Sequence, residues 1–305
     1  MIAVAPARRN DHSACSGCSL CLLVCPVWRE TRDPRLSPEG RAKGLQAGAS
    51  TAELATSALA CTLCGACEPV CPEGIDLIGM TLALRRALPE TPAVQSLRVR
   101  MSQSAASPVA PTSAKIMLLA GPALRARPQI LARIVRLLGG RVCEDGGEDI
   151  AMALEAGAPI PSQRLDRFLQ QMRAAQSVIV EDGIWMRTLR AGLPGKRFAG
   201  LGEALTNHAA VRRGLSASDL YVIEPRSYHA DYERLVNHYD RLRVERGCST
   251  NLDLQRIAIP ASGGADWILK GRNVERIVVE RMEDANAFMR HGALPVVHLA
   301  ELADH

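Results

Sequence analysis

Two stretches decide how this chain is read: CSGCSLCLLVCP at residues 15–26 and CTLCGACEPVCP at residues 61–72. Each is a run of four cysteines, Cys15, Cys18, Cys21 and Cys25 before Pro26, then Cys61, Cys64, Cys67 and Cys71 before Pro72. A cubane iron–sulfur cluster needs four converging thiolates. In this spacing the first three cysteines of a run reach three irons of one cube. The fourth opens the next element, points away and completes the other cube. The runs therefore predict two [4Fe–4S] clusters with crossed ligands: Cys15, Cys18, Cys21 and Cys71 for one, and Cys61, Cys64, Cys67 and Cys25 for the other. Zinc is the competing reading, since paired C-x2-C knuckles hold a structural Zn²⁺. Three cysteines at successive x2 spacing, closed by Cys-Pro and repeated as a unit, do not fit that pattern.

The residues between the cysteines suit a shielded cluster. Gly17 and Gly65 allow close backbone approach, so that amides can point at sulfur. Leu20, Leu22, Leu23, Val24, Leu63 and Val70 are expected to supply an apolar shell, with Trp28 packing beside it. Pro26 and Pro72 cannot continue a preceding helix and turn the chain after the fourth ligand.

The rest of the composition sets bounds. The chain has 305 residues, room for two or three compact units. Apolar residues make up 47% and aromatics only 3%, so the core must be built mainly from Leu, Val, Ile and Ala. The formal charge of +5 is offset by two clusters that would add about −4. The basic excess thus needs no nucleic acid to explain it, and aromatic-plus-basic clusters that stack bases are absent from the sequence. Ten cysteines, eight of them in two tight runs and with no secretion signal, indicate metal binding in a cytoplasmic chain. No uninterrupted apolar stretch of about 18 residues predicts a membrane span. Arg8-Arg9 lack the apolar region an export signal needs, and read as part of a polar arm over residues 1–14.

The fold class expected is α+β: a helical two-cluster domain over residues 1–90, a linker over 91–114, and an α/β domain over 115–305. Ser37 and Pro38 read as the N-cap and first residue of a helix in the connector between the runs. Residues 75–88 have helical periodicity. Ser102 to Ser113 (SQSAASPVAPTS) has linker composition. Beyond it, candidate strands at 116–120, 177–181, 220–223, 256–260, 276–279 and 296–298 alternate with candidate helices at 128–138, 164–175, 202–213, 230–246 and 282–291. Such alternation argues for a mostly parallel sheet, and is compatible with two related repeats at about 115–210 and 211–305.

The two runs, the connector Leu36-Ser37-Pro38-Glu39-Gly40-Arg41 and the segment Cys71-Pro72-Glu73-Gly74-Ile75-Asp76 resemble a recurrent iron–sulfur subunit. It occurs in glycolate oxidase, in anaerobic glycerol-3-phosphate dehydrogenase, and as the C- and D-type subunits of heterodisulfide reductase. The resemblance is close over residues 12–90. It implies a domain that passes electrons between a dehydrogenase partner, a flavoprotein or a metal-dependent enzyme, and a further acceptor. Downstream the family carries two α/β repeats with Cys-Cys-Gly motifs, which hold non-cubane clusters in heterodisulfide reductase. Here Ala120-Gly121-Pro122 to Leu138 with Leu154-Glu155-Ala156-Gly157 resembles the first repeat. Glu224-Pro225-Arg226-Ser227-Tyr228-His229 with Ile259-Pro260-Ala261-Ser262-Gly263-Gly264 resembles the second. No Cys-Cys-Gly is present. Arg226 stands about where a cysteine is expected, and Pro260-Ala261-Ser262 about where the motif is. The resemblance then implies a C-terminal half that lost its clusters and remains as scaffold or docking surface.

Outside the runs only Cys143 and Cys248 remain, and single cysteines in α/β domains are mostly small apolar core residues. Of the seven histidines, His12, His208, His229, His238, His291, His298 and His305, none forms a ligand motif. His229 and His238, with Asp231 and Asp240, read as a solvated helix face. Gly200-Leu201-Gly202 falls short of a dinucleotide fingerprint. The expected function is an electron-transfer subunit of a multisubunit oxidoreductase, with no organic substrate of its own and with any membrane contact left to a partner. The alternatives are a heterodisulfide-reductase-like thiol reductase using Cys143 and Cys248, and a structural or redox-sensing iron–sulfur subunit.

Overall fold

The computed structural model describes residues 11–105, 114–289 and 294–304. Arg8-Arg9, the stretch 106–113 and His291 lie outside the described residues. The architecture is α+β, with an N-terminal helical region followed by two small parallel sheets.

The connector helix Pro38–Gln46 begins as its sequence dictates. The Ser37 hydroxyl accepts the Gly40 N–H at 3.0 Å, and Pro38 sits where a missing N–H costs nothing. The helix Leu77–Ala87 follows the second run, with the Asp76 carboxylate accepting the Gly79 N–H.

Strand β1 (Ile116–Leu119), β2 (Arg141–Val142), β3 (Ser177–Val180) and β4 (Arg197–Gly200) form one sheet in the order β2-β1-β3-β4. Strand β5 (Asp219–Val222), β6 (Ser249–Thr250), β7 (Arg276–Val279) and β8 (Val296–His298) form the other in the order β6-β5-β7-β8. The order is the same, and every pairing is parallel. The central strands are apolar on both faces because both faces are covered. Side chains alternate across the first sheet. Leu118 and Ile179 enter a core shared with the second sheet's Leu220, Tyr221, Val222 and Ile277 to Val279. Met117, Leu119, Val178 and Val180 pack on the opposite face against Phe168, Met172, Trp185 and Leu189.

The structure departs from expectation in several places. Residues 92–105, read as linker, form the helix Pro92–Ala105, which buries Leu97 and Met101 against Ala153. Residues 256–260 are not a strand. Only one bridge, Leu252 to Ala258, forms there, and Arg256 takes a left-handed φ of 62°. The helix expected at 202–213 is two, Leu201–Thr206 and Ala209–Gly214, and that at 230–246 begins as Tyr232–Arg246 after a separate Pro225–Ala230. The 164–175 helix runs Ser162–Gln170.

Candidate iron–sulfur site

Both cysteine runs follow the same backbone path. In the first, Gly17 and Ser19 are left-handed (φ 79° and 62°); in the second, Leu63 and Gly65 are (φ 54° and 78°). These are the residues immediately before and after the second cysteine of each run. Ser19 and Leu63 hold a conformation that costs a side-chain-bearing residue about 1–2 kcal/mol. The two runs thus repeat the same left-handed pair around their second cysteine.

The sulfurs gather in two hollows, each drawing on both runs. Cys15, Cys18, Cys21 and Cys71 line one of ≈ 330 Å³, counting the part open to solvent, together with Ser16, Ser19, Glu39 and Glu73. Cys25, Cys61, Cys64 and Cys67 line the other, of ≈ 270 Å³ on the same measure, with Pro26, Pro38, Gly65 and Ile78. Cys67 shares one apolar cluster with Cys15, Cys21 and Cys71 through Ala42, Ile75 and Leu77, so the two hollows adjoin. Among the described residues no three His, Cys, Asp or Glu side chains converge on a point where a single metal ion would sit.

All ten cysteines are free thiols. Burial, with neighbouring thiols adding to it, pushes Cys21 up to about 12 and Cys64 to about 11, and raises Cys25 and Cys67. Three of these, Cys25, Cys64 and Cys67, line the same hollow, where burial opposes their ionisation. A set of this kind suits a cationic iron core that takes thiolates as ligands. Backbone amides are aimed accordingly. Leu63 N–H donates to Cys61 Sγ at 3.4 Å. Cys25 is the N-cap of the helix Pro26–Thr31, so the Trp28 and Val27 amides favour its thiolate against burial. The shell is thinner than expected on one side: Leu20 and Leu23 face solvent, while Val24 and Leu63 are buried.

The loop of the second run is fastened to the rest of the molecule at three carbonyls. Arg85 donates to Cys61 O, Arg226 to Thr62 O at 3.0 Å, and His229 Nδ1–H to Cys64 O at 2.7 Å. His229 Nε2 accepts the Ala258 N–H at 3.2 Å, which fixes the tautomer. His229 is 2% exposed, so the solvated face expected for it is wrong; the cluster loop, 165 positions earlier, covers it. Salt bridges from Arg187 to Glu68 and Asp76, and from Arg29 to Asp253, tie the same two regions together.

Residues 11–75 match the family model described as a 4Fe-4S dicluster domain. The chain begins with such a domain. Searches of curated proteins and of solved structures return no match for the chain. The dicluster domain makes this an iron–sulfur protein and supports a role in electron transfer. Among the described residues no helix is long and apolar enough to cross a membrane.

Where the dicluster domain meets the two sheets there is a larger cavity, ≈ 820 Å³ on the same measure. Cys61 and Cys64 line it on one side. Arg226 and Ser262, at the positions where the resemblance expects cluster-holding motifs, line the other with Arg281 and Asp284, and Arg85 lines it from the cysteine side. The arginines fill this space with charge. Arg226 bridges Glu155 and Asp182, and Arg281 also reaches Asp182. Burial opposes ionisation of Asp182, but Arg226 and Arg281 together hold its carboxyl below the usual range. Gly202, once a fragment of a dinucleotide pattern, has a different reason to be glycine: a Cβ there would lie 1.8 Å from the Glu280 carboxyl.

Cys143 (0% exposed) and Cys248 (2%) lie in separate apolar cores, their thiols pushed up to about 12 and 11 by burial. Neither reaches the cavity lining.

Proposed function

We propose that this chain is an electron-relay subunit of an oxidoreductase complex. Cys15, Cys18, Cys21 and Cys71 hold one [4Fe–4S] cluster, and Cys25, Cys61, Cys64 and Cys67 hold a second. The observation that carries this reading is the sorting of eight sulfurs into two adjoining hollows, each fed by both runs. A bound [4Fe–4S] cluster supplies one-electron chemistry at nearly fixed geometry. The chain's own part is to fix the sulfurs, aim amides at them and keep water from the inner set. Cys18 is exposed, so the first hollow opens at the surface where a partner can approach. Cys25, Cys64 and Cys67 are buried, and the second hollow lies against the C-terminal half. The partner would be a dehydrogenase, flavin- or metal-dependent, and the C-terminal half would serve as its scaffold.

The test is anaerobic purification of the chain with its bound polypeptides, followed by iron and sulfide analysis. About eight irons per chain with a dehydrogenase at fixed stoichiometry is expected. Electron transfer by the isolated chain should need an artificial donor and acceptor. About two zinc ions and no sulfide would overturn the reading. Cys143→Ala with Cys248→Ala should leave electron transfer unchanged.

A further inference from the structure

Arg41 is a buried cation with no anion in its hydrogen-bond shell. It lies in the helix Pro38–Gln46 and is 1% exposed. Its Nη1 donates to the Leu36 carbonyl at 3.1 Å, the Ser57 carbonyl at 2.9 Å and the Ser57 hydroxyl at 3.3 Å, all neutral. Its Nε has no hydrogen-bond partner. Among the described residues no carboxylate forms an ion pair with it. An isolated buried guanidinium is costly, and such a group persists where an opposite charge faces it.

The helix that carries Arg41 forms a wall of the inner hollow. Pro38 lines that hollow, and Ala42 packs in one cluster with Cys67. The Arg41 guanidinium rests on the Ser57 carbonyl, in the short helix Ala55–Ala60 that leads directly into Cys61. Arg85 repeats the arrangement from another side. It donates to the carbonyls of Ala58, Leu59, Cys61 and Glu155, again without a carboxylate ion pair among the described residues. The outer hollow has the opposite character. Glu39 and Glu73 line it, and Lys43 reaches the Cys15 carbonyl beside it at 2.8 Å.

We propose that Arg41 and Arg85 are counter-cations of the cluster held by Cys25, Cys61, Cys64 and Cys67, and that they raise its reduction potential. The inference rests on the relay reading above. An electron added to a cluster in this water-poor hollow increases a negative charge that burial already disfavours. A fixed cation stabilises the reduced state more than the oxidised one. Both arginines are thus positioning residues that let a buried site take up an electron.

The experiment is a redox titration followed by electron paramagnetic resonance, on the full chain loaded with iron and sulfide anaerobically. Arg41→Gln and Arg85→Gln are each expected to shift the reduction equilibrium of one cluster at least tenfold toward the oxidised form, about 59 mV lower for a one-electron couple. The shifted signal should be the one lost in Cys61→Ala. Arg41→Lys should restore most of the shift, and Lys43→Gln should move only the other signal. Should Arg41→Gln fail to fold, the part-exposed Arg85 carries the test. Full iron content with both potentials unmoved in Arg85→Gln overturns the counter-cation role alone. A wild-type chain that holds no cluster overturns the relay reading and this one with it.

Discussion

Crossed ligation makes a prediction that run-by-run ligation reverses. Replace Cys71 by alanine. The outer hollow then keeps only Cys15, Cys18 and Cys21, while the inner hollow keeps all four of its sulfurs. One cluster should be lost and the other retained, so iron falls from about eight to about four per chain, and sulfide with it. Cys71 is half-buried, so loss of its sulfur costs the fold little, on the order of 1 kcal/mol. The iron loss is therefore not a consequence of unfolding. Cys25→Ala is the mirror experiment on the inner hollow. The assay is iron and sulfide analysis, with electron paramagnetic resonance spectra of the reduced chain. The spectrum left in Cys71→Ala should coincide with that of Cys15→Ala, and the spectrum left in Cys25→Ala with that of Cys61→Ala. If Cys71→Ala instead matches Cys61→Ala, each run holds its own cluster and the reasoning from the hollows is refuted.

Two further predictions concern the C-terminal half. Arg164, its side chain 2% exposed, grips Asp145 and Asp149 through four hydrogen bonds of 2.6–3.0 Å. Arg164→Met leaves two carboxylates facing each other and should cost about 3–5 kcal/mol by denaturant unfolding, and a loss below about 1 kcal/mol would show the pairing to be dispensable. His298 is buried and neutral, its Nε2–H donating to the Glu280 carbonyl and its Nδ1 accepting the Ala300 N–H. Burial lowers it from 6.5 to about 4. Its folded value is depressed, so its contribution is present above pH 6.5 and is lost as the unfolded chain takes up the proton between 6.5 and 4. That loss is on the order of 3 kcal/mol, and unfolding midpoints of His298→Gln should fall less over the same pH range. Equal slopes in the two proteins would count against it.

The cysteine spacing was legible because a cluster reads the chain locally: ligands three and four residues apart can be placed without knowing the fold. The Ser37 cap and the apolar strands β1, β3, β5 and β7 were legible for the same reason. What was hidden depends on partners far away in sequence. Strands β2 and β6 are two residues long and exist only as edges of a parallel ladder. The helix Pro92–Ala105 buries too few apolar side chains, Leu97 and Met101 among them, to show a period, and its serines read as linker. Residues 256–260 are apolar enough for a strand, yet the backbone turns at Arg256. His229 looked like part of a solvated face because nothing in its neighbourhood announces the Cys64 carbonyl. Arg41 sat in a motif that was read for its helix cap and for its resemblance; its burial is a tertiary fact.

The clasp of Arg226 and His229 on the loop of the second run has a consequence for how the protein is made. Synthesis from the N-terminus delivers all eight cysteines of the two runs long before residue 226 exists. During that interval nothing from the C-terminal half covers Cys61 to Cys64, and iron and sulfide have free access to the inner site. Once the sheets form, Arg226 and His229 hold the Thr62 and Cys64 carbonyls and the C-terminal half covers part of this loop. On the relay reading, the order of translation would let the buried site fill before the C-terminal half packs against it.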